Sequence, residues 1–497
     1  MKNKIILILI IIGMIFLAFN KSEKEYIITN KQKLEYSIEN NTLQPFDLYF
    51  LKLENDKKNI IYSPLSLKYA LSMLEQGAIG ETQTQIQNIL YNYKTNKYEN
   101  TKNISFANAL FIKDNFIVKE EYINNLITKY NAEVIKDSFK TPKFINSWVN
   151  NKTLGLINNP FNDISQEDLI LINALAIDME WNNKFLKENS NVISYKHENF
   201  SWFEPDTVVE NKFKDIKETV SGMNIYASIN NYDIVNILGE NNIKATVKES
   251  LLKCIKENNI SIKEIYFKEN MTDDELIEAY LNEYIKEIDS NYKRIDASSD
   301  FSFYYDENVK AFSKDLKEYN NIQLEYISIM PNDNLKDFVD NITYKDINEI
   351  IDKIKPYNLI NYKNNVVTKI KGFIPKFKYD YELDLINDLK QLGVKDVFDK
   401  DKANLKNITD SNLYINKASH KANIELTQDG IKAAAITFIG GKGAGQIFDY
   451  IYDIPVEEID LTFDKPFMYI IRDKKTKEVW FIGTVYNPLE YSQDSTK

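Results

Sequence analysis

Cysteine and histidine are almost absent from this chain. Its 497 residues include one cysteine, Cys254, and two histidines, His197 and His420. A single cysteine cannot form a disulfide within the chain, and these side chains are too few for a zinc site built on thiolates or imidazoles. We therefore expect neither a metal ion nor a cofactor.

Catalytic motifs and an excess of positive charge are also missing. The sequence has no Gly-x-Ser-x-Gly elbow of the kind that carries a hydrolase nucleophile. Residues Gly441–Gly445 (GKGAG) resemble a phosphate-binding loop, but no Ser or Thr follows Lys442. The formal net charge of −11 argues against nucleic acid as the main partner. These absences leave a hydrolase triad, a nucleotide site and a nucleic-acid partner without support.

The N-terminus carries an apolar run. Two lysines precede Ile5–Phe19, which is shorter than the roughly 20 residues of a membrane-spanning helix. This pattern is typical of a secretory signal peptide, and an uncleaved membrane tether is the alternative. We interpret residues 1–20 as a signal peptide or N-terminal anchor. The protein is accordingly expected to be secreted and extracellular, or anchored to the cell envelope.

The rest of the sequence predicts an α+β fold. Ser63 and Pro64 mark the start of a helix that ends near Gly77. Leu169–Ala176 is an apolar run typical of a strand buried on both faces. Beyond Ile322, segments rich in strand-forming residues alternate with polar turns, so we expect helices early in the chain and large sheets late.

Residues 186–305 interrupt this organisation with helical patterns. Thr246 and Glu249, and again Thr272 and Glu275, have the spacing of helix capping boxes. We therefore predict an inserted helical subdomain.

The segment Ile424–Gly445 reads IELTQDGIKAAAITFIGGKGAG. It combines strand formers, three consecutive alanines and glycines on both sides, so its backbone can adopt more than one conformation. As a strand it would place Ile431, Ala433, Ala435 and Thr437 on one uncharged face, because strand side chains alternate.

Several motifs, in order along the chain, resemble the serpin family. They are NIIYSPLSLKYALSMLEQGAIGET, INSWVNNKTLGLI, LILINALAIDMEW, IPKFKYDYELDLINDLKQLGVKDVFD, YINKASHKANIELTQDGIKAAA and DKPFMYIIRDKKTKEVWFIGTVYNP. The resemblance identifies residues 43–490 as a serpin domain that contains the insertion. It implies three β-sheets, about eight to nine helices and an exposed reactive-centre loop at 428–463.

The resemblance also implies a function and the residues that perform it. Serpins are suicide inhibitors of serine proteases: the loop is cut, inserts as a strand into the central sheet and traps the acyl-enzyme as a covalent complex. The resemblance therefore implies a monomer that is not itself an enzyme and whose partner is a serine protease. The implied hinge residues are Gly430, Ile431, Ala433, Ala434, Ala435 and Thr437. The implied polar cluster beneath the sheet (the shutter) is Ser63, Ser66, Asn173 and His420, and the aromatic at the loop's entry point (the breach) is Trp181.

The family's spacing from Gln428 places the cut at Ala444–Gly445. A small residue before the cut suits elastase- or subtilisin-like proteases. Lys442, which suits a trypsin-like enzyme, and Tyr452, which suits a chymotrypsin-like one, are the second and third choices.

Two positions depart from the family pattern. Ile431 replaces the usual Thr or Ser, and Gln428 replaces the usual Glu. Since some serpins do not inhibit proteases, a binding or envelope interaction protein is the alternative function.

Overall fold

Helices dominate the first part of the chain and strands the last. The computed structural model describes residues 43–91, 93–185, 208–210, 219–227, 239–291, 301–357, 367–431 and 456–488. The helices are α1 (Pro45–Leu53), α2 (Pro64–Gly77), α3 (Gly80–Leu90), α4 (Glu120–Tyr130), α5 (Lys143–Lys152), α6 (Glu240–Asn258), α7 (Ile262–Ile265), α8 (Asp273–Asn291), α9 (Leu335–Asn341), α10 (Tyr344–Lys353) and α11 (Leu385–Gln391).

The strands complete the α+β fold predicted from the sequence. They are β1 (Ile60–Tyr62), β2 (Ile104–Lys113), β3 (Glu133–Asp137), β4 (Leu169–Ile177), β5 (Met179–Glu180), β6 (Val208–Glu210), β7 (Thr219–Ala227), β8 (Ser302–Tyr305), β9 (Val309–Asp315), β10 (Leu324–Pro331), β11 (Lys355–Pro356), β12 (Val367–Pro375), β13 (Phe377–Asp384), β14 (Ser419–Leu426), β15 (Gly430–Ile431), β16 (Val456–Thr462), β17 (Phe467–Asp473) and β18 (Val479–Val485).

The hydrogen-bonded strands of the described residues fall into four groups. A seven-stranded sheet has the order β1-β18-β17-β10-β9-β8-β11, and a four-stranded sheet has the order β16-β12-β7-β6. The other groups are β3-β2-β4 and β13-β14-β15-β5. Only Asp178 separates β4 from β5 along the chain, so these last two groups are the halves of one divided sheet.

Local sequence sets the start of α2 as predicted. Ser63 is the N-cap, and its Oγ accepts a hydrogen bond from the Ser66 N–H at 3.1 Å. Pro64 is the first helical residue, where its missing N–H removes no helical bond. The helix packs against β4 and β18, which places its N-terminus under the divided sheet.

The helices of the insertion have a core of their own. Their buried apolar residues do not belong to the main hydrophobic cluster, and α6 and α7 both pack against α8. These residues are Ile243, Val247, Leu251, Ile262, Leu276, Ile277 and Leu281. The helices therefore bury their apolar faces largely against one another.

The predicted capping boxes of the insertion had different outcomes. The Thr272 prediction is confirmed, because Thr272 and Glu275 exchange hydrogen bonds just before α8. The Thr246 prediction is wrong, because α6 begins six residues earlier at Glu240, and the Thr246 hydroxyl donates to the Asn242 carbonyl inside the helix. A capping-box spacing can occur within a helix, where Thr bonds back to the preceding turn.

The described helices of this unit lie between β7 and β8. The strands β6 and β7 also fall within the predicted bounds 186–305, yet they pair in a sheet with β12. Among the residues described, no helix has the length and hydropathy to cross a membrane. The apolar N-terminal segment lies outside them.

Candidate functional site

The first two hinge residues form a short strand within the divided sheet. Ile431 pairs with Leu426 of β14 on one side and with Met179 of β5 on the other, while Gly430 pairs with Glu180. The Ile431 side chain is 3 % exposed and belongs to the main core. The chain after β14 has thus turned back and entered the sheet.

The space beside β15 admits only glycine at position 430. A Cβ added to Gly430 would lie 2.2 Å from the Met179 carbonyl oxygen and 2.6 Å from the Glu180 Cα. These neighbours are backbone atoms, which cannot move as a side-chain tip can. Gly430 therefore allows the close approach of β15 to β5.

Trp181 fixes the turn that leads into β15. Its indole N–H donates to the Thr427 carbonyl at 2.9 Å, and its backbone N–H donates to the Asp429 carbonyl at 3.0 Å. The backbone N–H of Phe185 donates to the Gln428 carbonyl at 3.2 Å. Because Trp181 is fully buried, these bonds are shielded from water and define the position of the turn.

An ion pair lies beside the same turn. Lys184 Nζ is 3.1 Å from Asp429 and 3.2 Å from Glu180. Burial lowers the pKa of Lys184, but its hydrogen bonds to Asp429 and Glu180 outweigh that effect and raise the pKa above its usual value. Sequence reasoning missed Lys184 and Asp429, since a charged pair so far apart in sequence leaves no local pattern.

Below Ile431, an open space separates the two halves of the sheet. Within the described residues, no strand pairing joins β4 to β14. A cavity of about 590 Å³ lies between them, lined by Leu175–Ile177 of β4, Lys421–Glu425 of β14, Ile431 above, and Ile471 and Phe481 beneath. We call this space the central groove; its upper end is at Ile431.

The shutter residues meet at the middle of the central groove. The Ser63 N–H donates to His420 Nε2 at 2.9 Å, and the Ser66 hydroxyl donates to Asn173 Oδ1. These four residues line a further cavity of about 50 Å³. Burial lowers the pKa of His420 to about 3, so the imidazole is neutral and its Nε2 accepts.

Asn108 extends this polar cluster and was missed. The Asn173 side-chain amide donates to Asn108 Oδ1 at 2.8 Å, and Asn108 donates to the Tyr130 carbonyl at 2.8 Å. A single asparagine within the apolar run ISFANALFI was the available signal. The bonds link α2, β14, β4 and β2, so the shutter connects both halves of the sheet to the helix below.

Two further polar contacts cross the groove, one between Ile431 and the shutter and one at the lower end. Asn423 of β14 donates to the Leu156 carbonyl at 2.6 Å, so the chain after α5 lies across the groove. At the lower end, Lys417 Nζ is 3.2 Å from Glu167. A third cavity of about 240 Å³ lies beside this ion pair. The groove thus extends from Ile431 to Lys417.

The other predicted site residues lie outside the described part of the chain. These are the hinge residues Ala433, Ala434, Ala435 and Thr437, and the reactive-bond candidates Lys442, Ala444, Gly445 and Tyr452. Across the described ranges, no group of His, Cys, Asp and Glu side chains has the arrangement of a metal site.

Comparison with known proteins identifies the class to which this fold and site belong. The family model described as "Serpin (serine protease inhibitor)" matches residues 40–201 and 194–488. The chain therefore belongs to the serpin family, as its motifs implied.

Individual relatives agree with this assignment. An uncharacterized serpin-like protein of Methanosarcina acetivorans is 24% identical over 89% of this chain and 86% of its own length. The native-state crystal structure of the thermophilic serpin Tengpin matches with a TM-score of 0.58 and 22% identity, covering 95% of this chain and 96% of Tengpin. Thyroxine-binding globulin in complex with thyroxine matches with a TM-score of 0.55 and 18% identity, covering 89% of this chain and 96% of the globulin. At these identities the structural matches show the fold.

Proposed function

We propose that this protein inhibits serine proteases by a suicide mechanism in which its cut reactive-centre loop fills the central groove. The observation that carries the proposal is β15, where Gly430 and Ile431 already lie between β14 and β5 with the groove continuing below them. Insertion would extend a strand that has begun.

The register of β15 supports this extension. Ile431 lies opposite Leu426, so continued antiparallel pairing would place Ala433 opposite Ile424 and Ala435 opposite Ala422. Leu426, Ile424 and Ala422 are buried. Residues directly opposite each other share a face of the sheet, so the small uncharged residues of the hinge would face the core.

The same register suits the two polar positions of the hinge. Lys432 would lie opposite Glu425, giving a pair of opposite charges on the other face. Thr437 would lie opposite His420 of the shutter, where its hydroxyl could bond with the polar cluster. Ile431, where the family usually has Thr or Ser, is also compatible with insertion, because its apolar side chain is buried at the upper end of the groove.

The energy of insertion is large enough for the proposed trap. A strand filling the groove along the eight residues of β14 would form ladder bonds on both sides, for a net gain on the order of 10 kcal/mol. Losing one oxyanion-hole donor costs a protease about 3–4 kcal/mol of transition-state stabilisation. Dragging the acylated protease out of shape before its ester hydrolyses is therefore energetically feasible.

Protease trapping provides the direct test. The protein is mixed with elastase, subtilisin, trypsin and chymotrypsin, and the products are separated on denaturing gels. We expect a covalent band near the summed mass, with the loop cut at Ala444–Gly445 and elastase or subtilisin trapped best. Clean cleavage without that band would instead support the alternative, a non-inhibitory serpin that acts as a binding or envelope interaction protein.

The proposal includes location outside the cytoplasm. The apolar run Ile5–Phe19 after two lysines supports export, followed by release or retention at the envelope. N-terminal sequencing of the protein recovered from the medium and from the envelope fraction would distinguish a cleaved signal from an anchor. Recovery of the uncleaved protein in the cytoplasm would contradict export.

A further inference from the structure

The insertion and the reactive-centre loop reach the same end of one sheet. Ala227, the last residue of β7, pairs with Ile370 of β12, and Val456, the first residue of β16, pairs with Val367. β7 runs antiparallel to β12, so its last residue lies at the end of the sheet where β12 begins. β16 runs parallel to β12, so its first residue lies at the same end. The chain that leads to the inserted helices therefore leaves the sheet at the end where β16 begins. The two positions flank β12 and are about 14 Å apart, since they are separated by two strand spacings across the sheet and by three residues along it.

The length of chain around the helices limits how far they can lie from this point. Residues 228–238 and 292–300 join the helical unit to β7 and to Phe301. At no more than about 3.6 Å per residue, Gly239 at the start of the unit lies within about 43 Å of Ala227 at the end of β7. A globular protein of about 230 residues is roughly 45 Å across. A protease seated on the loop is therefore within reach of the inserted helices.

The helical unit presents an exposed aromatic on the connection between α7 and α8. The Phe267 side chain is 65 % exposed, a larger fraction than that of Leu252, which is also exposed, whereas seven apolar residues of the unit are buried in a core of its own. Met271, on the same connection, is also exposed. Large aromatic side chains are the common anchors of protein interfaces.

The neighbours of Phe267 hold it in an outward position. The Tyr266 hydroxyl donates to the Glu283 carboxylate of α8, and Lys268 Nζ is 3.1 Å from the same carboxylate. The Tyr266 ring also packs edge-on against Tyr280 of α8 at 5.6 Å. With both neighbours attached to α8, Phe267 is presented with little conformational freedom to lose on binding.

We infer that the inserted helices form a docking surface for the target protease, with Phe267 as the anchor that enters an apolar depression beside the protease's active-site cleft. This inference rests on the proposed inhibitory function. The insertion thereby contributes to the choice of protease and to the rate of encounter, while the loop supplies the bond that is cut.

The test uses the full-length protein and whichever of the four proteases it traps fastest. Phe267→Ser is compared with Ile117→Ser, which removes another exposed apolar side chain, between β2 and α4. Binding is measured to a form of the protease whose nucleophilic serine is replaced by alanine, so that no acyl-enzyme forms. We expect Phe267→Ser to raise Kd and to slow trapping of the active enzyme by about tenfold, and Ile117→Ser to change neither. The fraction of cuts that end in a covalent complex should stay the same.

A second variant, Glu283→Gln, weakens the contacts that hold Tyr266 and Lys268 on α8 and leaves the Phe267 ring in place. We expect it to raise Kd less than Phe267→Ser does. Equal Kd values for wild type and Phe267→Ser would overturn the docking surface while leaving the proposed inhibition intact. A dimer of the wild-type chain that Phe267→Ser dissociates would also overturn it, by assigning the surface to a second copy. If the wild-type chain traps no protease, the proposed function fails, and the inference fails with it.

Discussion

The upper end and the middle of the central groove are held together by different kinds of interaction. At the upper end, β15 is fixed by backbone pairing, by a glycine with no room for a side chain and by the bonds of Trp181. In the middle, buried side chains take part in each connection: His420 accepts from the Ser63 backbone N–H, and Asn173 accepts from the Ser66 hydroxyl. In the proposed insertion, the upper end would set the register of the entering strand, whereas the side chains in the middle would exchange hydrogen-bond partners as the strand passes.

A charge on the inward face of the hinge should have the largest effect. Ala433→Glu would place a carboxylate opposite buried Ile424 if the register of β15 continues, and an unpaired buried ion costs several kcal/mol. We expect cleavage without trapping in the protease gel assay. Ala434→Glu, one residue away and on the other face, is the matched control and should still trap. Trapping by Ala433→Glu at the wild-type rate would contradict the proposed register.

A side chain at position 430 should have the next largest effect. Gly430→Val would force backbone atoms of β5 and β15 apart, and overpacking of this kind costs about 1–3 kcal/mol. We expect the fraction of cuts that end in a covalent complex to fall at least tenfold. Gly239→Ala strains a positive φ where its added Cβ meets nothing, so it should lower stability slightly and leave that fraction unchanged.

The stability that the middle of the groove contributes should depend on pH. His420 has a pKa of about 3 when folded, against about 6.5 in an unfolded chain, so the unfolded state binds the extra proton between these values. The stability that depends on neutral His420 is complete above about pH 6.5. It is lost as the pH falls toward 3, by at most about 1.4 kcal/mol per pH unit.

Denaturant titrations across this range provide the measurement. His420→Gln should flatten the decline of unfolding free energy with falling pH, because glutamine carries no titratable proton. His197→Gln, at the chain's other histidine, should keep the wild-type slope. An unchanged slope in His420→Gln would show that the shutter histidine does not control acid sensitivity.

Removing the ion pair at the turn should have the smallest effect. Lys184 is 37 % exposed, so solvent screens its attraction for Asp429, and such pairs contribute about 0–1 kcal/mol. Asp429→Asn should raise the hydrogen-exchange rate of the Ile431 amide up to about fivefold. Lys317→Met, which removes a longer and more exposed contact to Glu180, should leave that rate unchanged.

Short-range patterns predicted those parts of the fold that depend on short-range physics. Ser63 with Pro64 gave the start of α2, and the apolar run after Glu167 gave β4 with all nine residues buried. The division of the sheet was not predictable, because strand patterns do not report which edges pair. The same limit applies to Lys184 with Asp429 and to Lys417 with Glu167, whose partners lie far apart in sequence.

The shutter and Trp181 were named from family resemblance, and the structure brings Ser63, Ser66, Asn173 and His420 into one polar cluster. Sequence could not indicate that Gly430 and Ile431 lie within the sheet, because their position depends on the space at Gly430 and on the bonds from Trp181 and Phe185 to the turn.

The most direct test of strand insertion is the thermal stability of the protein before and after a cut in the loop. The wild-type chain is nicked between residues 432 and 455 and its Tm is compared with that of the intact protein. Filling the groove should raise Tm by about 10 °C or more, given a gain on the order of 10 kcal/mol in a chain of this size. An unchanged or lower Tm after cleavage would contradict strand insertion.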